Sequence, residues 1–226
     1  MSDSGEPVEP YEICDGDAPT PPRLPGVVET GKNADHLLDV VSAELLLEAE
    51  QRVHLGELFH LAVCGSDAIA QFLERMMYNP DMRRFPWAKT HCWLLDDLDS
   101  GERFGRLRET LVPHAGMDES NLHGVAQAQD APDFDYVLLD IGVDGRVGGL
   151  HATPPGDETQ VPVGIINRSS FVALIGMGGE VHCMLDALAD APECNLPVQQ
   201  VQSQSGTTKW YLSPTTLEED SRHYEE

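Results

Sequence analysis

The chain has 226 residues, 41% of them hydrophobic and 23% charged, enough apolar side chain to close a globular core and too much for a disordered chain. Its 39 acidic residues against 14 basic ones give a formal net charge of −25, which repels phosphate backbones and anionic lipid and argues against nucleic-acid and membrane partners. An anionic ligand would need local donors, either backbone N–H groups or a few placed arginines and lysines.

Residues 1–26 are rich in Pro, Glu, Asp and Gly, as in Ser2-Asp-Ser-Gly-Glu-Pro and Pro19-Thr-Pro-Pro-Arg-Leu-Pro. They hold too little apolar surface to offset their ordering entropy, so a flexible arm is expected. A single domain is expected over 27–217 and a polar tail over 218–226. Leu37, Val40, Val41, Leu45 and Leu47 predict a helix over 34–53, with Asn33 or Asp35 as its cap. Leu58-Phe-His-Leu-Ala-Val63 reads as a buried strand, and Ile69, Phe72, Leu73, Met76 and Met77 predict a helix over about 67–78.

A second strand is expected at His91-Cys-Trp-Leu-Leu95, a helix over 102–112, and a third strand at Tyr136-Val-Leu-Leu139. Further strands are expected at about 161–166 and 171–175, then a helix over 179–190 and a last strand at Lys209-Trp-Tyr-Leu212. Apolar strands alternating with amphipathic helices predict an α/β fold, a mostly parallel sheet covered on both faces. The five cysteines (Cys14, Cys64, Cys92, Cys183, Cys194) are odd in number with no C-x-x-C pair, so neither a disulfide framework nor a zinc knuckle is expected. Cys64 and Cys92 lie in apolar runs and read as small core residues. No leader opens the chain and no apolar run approaches the ~20 residues of a bilayer span, so the expected compartment is the cytoplasm.

Ligands of such sheets bind beyond the carboxyl ends of the strands. Three loops qualify. Cys64-Gly-Ser-Asp67 joins a strand to a helix: Gly65 permits close backbone approach, Ser66 offers a hydroxyl, and the helix N-terminus favours an anion. The same four residues also suit an ordinary turn with Ser66 or Asp67 as cap. Asp96-Asp97-Leu-Asp99 offers paired carboxylates to orient a base or a sugar hydroxyl, or forms a solvated acidic turn. Gly142-Val-Asp-Gly-Arg-Val-Gly-Gly149 fits either a close backbone approach around Asp144 or a tight Asp-Gly loop.

In this order, the three loops resemble those of the 6-phosphogluconolactonase family, whose relatives include the glucosamine-6-phosphate deaminases. The likeness covers roughly residues 27–217. The family's Gly-Gly-Ser-Thr-Pro turn corresponds to Val63-Cys-Gly-Ser-Asp-Ala68, and its Trp-led segment to Phe85-Pro-Trp-Ala-Lys-Thr-His-Cys-Trp93. Its Asp-Glu-Arg strand end corresponds to Asp96-Asp97-Leu98. Its Leu-Leu-Gly-x-Gly-x-Asp-Gly-His motif becomes Leu138-Leu-Asp-Ile-Gly-Val-Asp-Gly-Arg146, and its late Leu-Pro and Trp-bearing strand are Leu196-Pro197 and Lys209-Trp-Tyr-Leu212.

The resemblance implies a three-layer α/β sandwich and hydrolysis of a phosphorylated sugar lactone in the pentose phosphate pathway, without metal or organic cofactor. It also implies a small-molecule sugar phosphate as partner, and it leaves the oligomeric state open. By the same resemblance Gly65, Ser66, Asp96, Gly142, Gly145 and Arg146 bind substrate. The family's base is the histidine of Asp-Gly-His, which is Arg146 here, and a guanidinium stays protonated and takes no proton from water.

Further departures are Asp140 for the motif's first glycine, Asp67-Ala68 for Thr-Pro, and Leu98 for the arginine of Asp-Glu-Arg. Glu102-Arg103 stands for a Ser-Asn pair, and Gly179-Glu-Val-His182 is nearest to a late Gly-x-x-Lys. If the chain is active, His151 is the expected base with Asp144 orienting it. If it is not, a sugar-phosphate-binding or interaction protein on the same fold is the alternative. His182 is expected on a helix surface, and Arg168 in a salt bridge.

Overall fold

Strands β2 (Phe59–Val63) and β6 (Tyr136–Asp140) lie side by side and parallel, with Ala62 opposite Val137. Around them the computed structural model, which describes residues 21–151, 156–190 and 196–217, builds a seven-stranded sheet in the order β1-β9-β8-β6-β2-β3-β5. The remaining strands are β1 (Val27–Thr30), β3 (Thr90–Leu94), β5 (Leu122–His123), β8 (Phe171–Met177) and β9 (Thr207–Ser213), and every pairing is parallel. Nearly every residue of β2, β6 and β8 is buried. Those strands therefore read as continuous apolar runs, as the helix-covered interior of a parallel sheet requires.

Helix α1 (Ala34–His54) starts at Asn33, whose side chain accepts the His36 N–H, and buries Leu37, Leu38, Val41 and Leu45. Helix α2 (Asp67–Tyr78) presents Ile69, Phe72, Leu73 and Met76 inward, as the spacing predicted. Helix α3 (Glu102–Ala115) runs three residues past its predicted end and stops at Gly116, in the left-handed region with φ +66. Short helices α4 (Val125–Ala128), α5 (Val163–Asn167) and α7 (Pro197–Gln200) and the longer α6 (Gly179–Asp190) complete the cover. Cys64 and Cys92 are buried, matching their expected place in the core.

Two expectations change. The strand predicted at 161–166 is a helix over most of its length: α5 begins after Pro162, and the Ile165 N–H donates to the Pro162 carbonyl. Proline brings no N–H to a sheet ladder and holds a backbone angle suited to a helix start. The extended segment lies just before it, where β7 (Glu158–Gln160) pairs antiparallel with β4 (Asp96–Leu98) in a separate two-stranded ribbon. The expected arm also begins to dock early. Pro22 is buried and Trp210 Nε1 donates to the Pro25 carbonyl at 2.7 Å, while residues 1–20 and the tail 218–226 lie outside the described residues.

The strand order places the site. The chain runs outward from β2 through β3 to β5, then returns to β6 and runs outward the other way through β8 to β9. The reversal falls between β2 and β6, so a crevice opens beyond their carboxyl ends. Residues 64–67 and 140–150 leave the sheet there.

Candidate active site

A cleft of about 490 Å³ occupies that crevice. Gly65, Ser66, Asp96, Arg146 and His151 line it, together with Asp67, Arg103, Arg106, Asp140 and Glu158.

The first wall is the turn after β2. Ser66 Oγ accepts the Ile69 N–H at 3.3 Å, so the hydroxyl caps α2 while it faces the cleft. Gly65 makes room for the chain's own arginine: a Cβ there would stand 2.4 Å from Arg103 Cδ and 2.9 Å from the Asp96 carbonyl oxygen. Arg106 closes the same wall, donating to the Gly65 carbonyl at 3.0 Å and pairing with Asp67 at 2.5 Å.

The second wall is the β4–β7 ribbon. Asp96 is not a solvated turn residue, because it is only 2% exposed. Burial raises its carboxyl above the ordinary carboxylate value, Asp140 and Glu158 add to the rise, and Arg103 and the Gly65 N–H oppose it. Arg103 spans the ribbon, with Nη1 at 2.5 Å from Asp96 Oδ2 and Nη2 at 2.6 Å from Glu158 Oε1. Its position is fixed from behind, since Asp97 Oδ1 accepts its backbone N–H at 3.0 Å at the start of α3.

The third wall is the 140–150 loop. Arg146 points into the cleft, with Nη1 3.2 Å from the Gly148 carbonyl and 3.3 Å from Asp140 Oδ2. Cys64 Sγ donates to Asp140 Oδ1 at 3.2 Å, and burial beside Asp140 and Asp96 pushes this thiol well above its ordinary value, so it is no thiolate nucleophile. His151 Nε2 lies 3.2 Å from Glu158 Oε2.

Three expected site residues fall elsewhere. Asp144 does not orient His151: its side chain is largely exposed, and its Oδ1 accepts the Arg146 N–H at 3.2 Å. A two-residue turn brings an Asp side chain back onto its own loop, and His151 is carried off to meet Glu158. Gly142 and Gly145 do not line the cleft. Gly142 leaves room for Arg146 Cγ, 2.6 Å from a would-be Cβ, and Gly145, at φ +77, packs beneath Leu196 and accepts the Val198 N–H. Arg168 pairs with Asp133 at 3.0 Å, as expected. His182 does not have the solvated ring of a helix-surface residue; both its ring nitrogens are buried without a hydrogen bond.

Sequence reading passed over Arg106 and Glu158 and gave Arg103 and Asp140 no role. Arg103 and Arg106 stand three apart on α3, hence on one face, and that spacing was a usable signal. Glu158 had none, because only the β4–β7 pairing brings it here. Among the described residues no cluster of three His, Cys, Asp or Glu side chains could hold a metal ion. The cleft can do acid–base chemistry through His151, and it can hold an anion through Arg106, Arg146 and the α2 N-terminus.

No family model matches the chain. The rabbit (Oryctolagus cuniculus) GDH/6PGL endoplasmic bifunctional protein is 26% identical over 230 residues, covering 79% of this chain and 28% of the rabbit protein. A rice (Oryza sativa subsp. indica) protein named "Probable 6-phosphogluconolactonase 2" is 29% identical over 114 residues, covering 39% of this chain and 41% of its own. The chain therefore matches well under half the length of these curated relatives. The crystal structure of 6-phosphogluconolactonase from Thermotoga maritima superposes with a TM-score of 0.67 at 17% identity, covering 83% of this chain and 99% of that one. The fold is thus the α/β fold of that structure. The sequence matches and the shared fold make this chain similar to 6-phosphogluconolactonases.

Proposed function

We propose that this protein hydrolyses the ester of a phosphorylated sugar lactone such as 6-phosphogluconolactone, with His151 as the base. The observation that carries the reading is the imidazole of His151 in the wall of a cleft that Arg146 also lines; by the resemblance, Arg146 stands where the family's histidine is expected. A water proton passes to the free ring nitrogen of His151, and the water oxygen bonds to the lactone carbonyl carbon, whose C=O pair moves onto oxygen. Collapse restores the carbonyl and breaks the ring C–O bond. The departing ring oxygen takes the proton back from His151, leaving the open-chain acid. Arg146 and Arg106, with the Gly65–Ser66 turn, hold the phosphate.

Purified protein should hydrolyse 6-phosphogluconolactone above the spontaneous rate, and His151→Ala should lower turnover by about 10²–10⁴-fold. Full activity in that variant would remove His151 from the mechanism. A second reading, a sugar-phosphate binder without hydrolysis, is favoured by Arg146 itself, which cannot serve as base. It is the outcome if wild-type protein adds nothing to the spontaneous rate while 6-phosphogluconate raises its melting temperature. The cytoplasm belongs to the same proposal, supported by the free thiols of Cys64, Cys92 and Cys183. Fractionation into the endoplasmic lumen would overturn that part.

A further inference from the structure

Glu158 reaches the cleft from β7, a strand that belongs to the two-stranded ribbon and not to the main sheet. Its two oxygens are in different situations. Oε1 accepts Arg103 Nη2 at 2.6 Å. Oε2 is buried and accepts no hydrogen bond, although His151 Nε2 stands only 3.2 Å away. A buried carboxylate oxygen left without a donor is costly, and an N–H at that distance needs only a turn of the ring to satisfy it. Catalytic hydrogen bonds are often loosely aligned in unliganded sites and tighten when substrate binds.

We infer that Glu158 is the positioning residue of this site: Oε2 takes the Nε2–H of neutral His151 and so fixes the tautomer whose lone pair is on Nδ1. A neutral imidazole has one donor and one acceptor nitrogen, and a carboxylate held at one nitrogen decides which is which. Arg103 holds Oε1 and keeps the carboxylate from swinging toward solvent. Its other branch grips Asp96 Oδ2, whose partner oxygen Oδ1 accepts the Gly65 N–H at 3.1 Å. One chain of contacts thus runs from the Gly65 turn through Asp96, Arg103 and Glu158 to His151, joining the phosphate end of the cleft to the base.

The catalytic part of this inference rests on the lactonase reading above; the tautomer part stands without it. Ring-nitrogen NMR of the ¹⁵N-labelled full chain, with His151 assigned by its loss in His151→Gln, should show a protonated Nε2 and a bare Nδ1 at neutral pH. Glu158→Gln should mix or invert the two. It should also lower kcat by about 10–10³-fold with KM changed far less, since the wrong tautomer removes the base and leaves binding alone. In a His151→Ala background Glu158→Gln should cause no further fall.

A protonated Nδ1 in the wild type, an unchanged tautomer in Glu158→Gln, or additive losses in the double variant would each overturn the inference. Should Glu158→Gln fail to fold, Glu158→Asp keeps the charge beside Arg103 while drawing the oxygen back from Nε2, and an unshifted tautomer there has the same force. Loss of the lactonase reading alone would appear differently: wild-type protein at the spontaneous rate, with the tautomer still set by Glu158.

Discussion

Two clusters of titratable groups lie on this sheet, and they are stabilised in opposite ways. In the cleft every described arginine meets a carboxylate: Arg103 with Asp96 and Glu158, Arg106 with Asp67, Arg146 with Asp140. Across β2, β3 and β5 the groups are aromatic rings instead. His91 Nδ1 and His123 Nε2 lie 2.9 Å apart, Trp93 Nε1 donates to His60 Nδ1 at 3.3 Å, and the Trp93 and His123 rings stack at 3.8 Å. The strand register creates this ladder, setting His60 opposite His91 and Trp93 opposite His123. Each imidazole there spends a nitrogen on a neighbour. In the cleft one buried carboxylate oxygen is left over. The first arrangement holds strands together, and the second leaves a group free to act.

The difference can be broken at several points. The largest expected effect is on the ladder: Trp93→Ala, which removes a ring only 7% exposed, should cost about 3–5 kcal/mol in denaturant unfolding. Turnover per folded molecule should stay as it was, and a selective loss of turnover would mean that ladder and cleft are coupled.

Acid should come next. Burial holds His60 and His123 below the ordinary value of 6.5, with neighbouring imidazoles adding to the effect and Asp135 opposing it at His60. As pH falls the unfolded chain binds these protons first, so stability present above about pH 6.5 is lost as pH drops through and below that value. His123→Gln should flatten this part of the stability profile. An unchanged slope would show that the ladder is not what senses acid.

The smallest effect is expected at Asp67→Ala. Its pair with Arg106 is largely exposed, so stability should change by less than ~0.5 kcal/mol. One branch of Arg106 is then released inside the cleft, and 6-phosphogluconate should bind more tightly by calorimetry. Weaker binding would show that Arg106 needs Asp67 to hold its place.

Much of this was legible in advance because it is local. Helical spacing over 34–53 and 67–78, buried strands at 58–63 and 136–139, and the capping chemistry of Asn33 and Ser66 follow from residues a few places apart. The stretch 161–166 departs from the strand expected there because its valines and isoleucines suit either state, and Pro162 tips the local choice to a helix. Gly65 was read as an opening for a ligand, and the side chain that fills its space came from thirty-eight residues on, which no local pattern could announce.

The sequence by itself determined that β-strands and helices alternate, that the Gly65 turn, Asp96 and the 140–150 loop end strands, and that the 140–150 loop carries a guanidinium, Arg146, after Asp144-Gly145. Those are matters of chain-local propensity and side-chain identity. Tertiary structure alone decided that His151 faces Glu158 instead of Asp144, that Arg103 lies over Gly65, and that four histidine and tryptophan rings meet across three strands. Each depends on strand register and on contacts between segments remote in sequence, where the stability of burying and pairing groups is settled by the whole fold and not by neighbours along the chain.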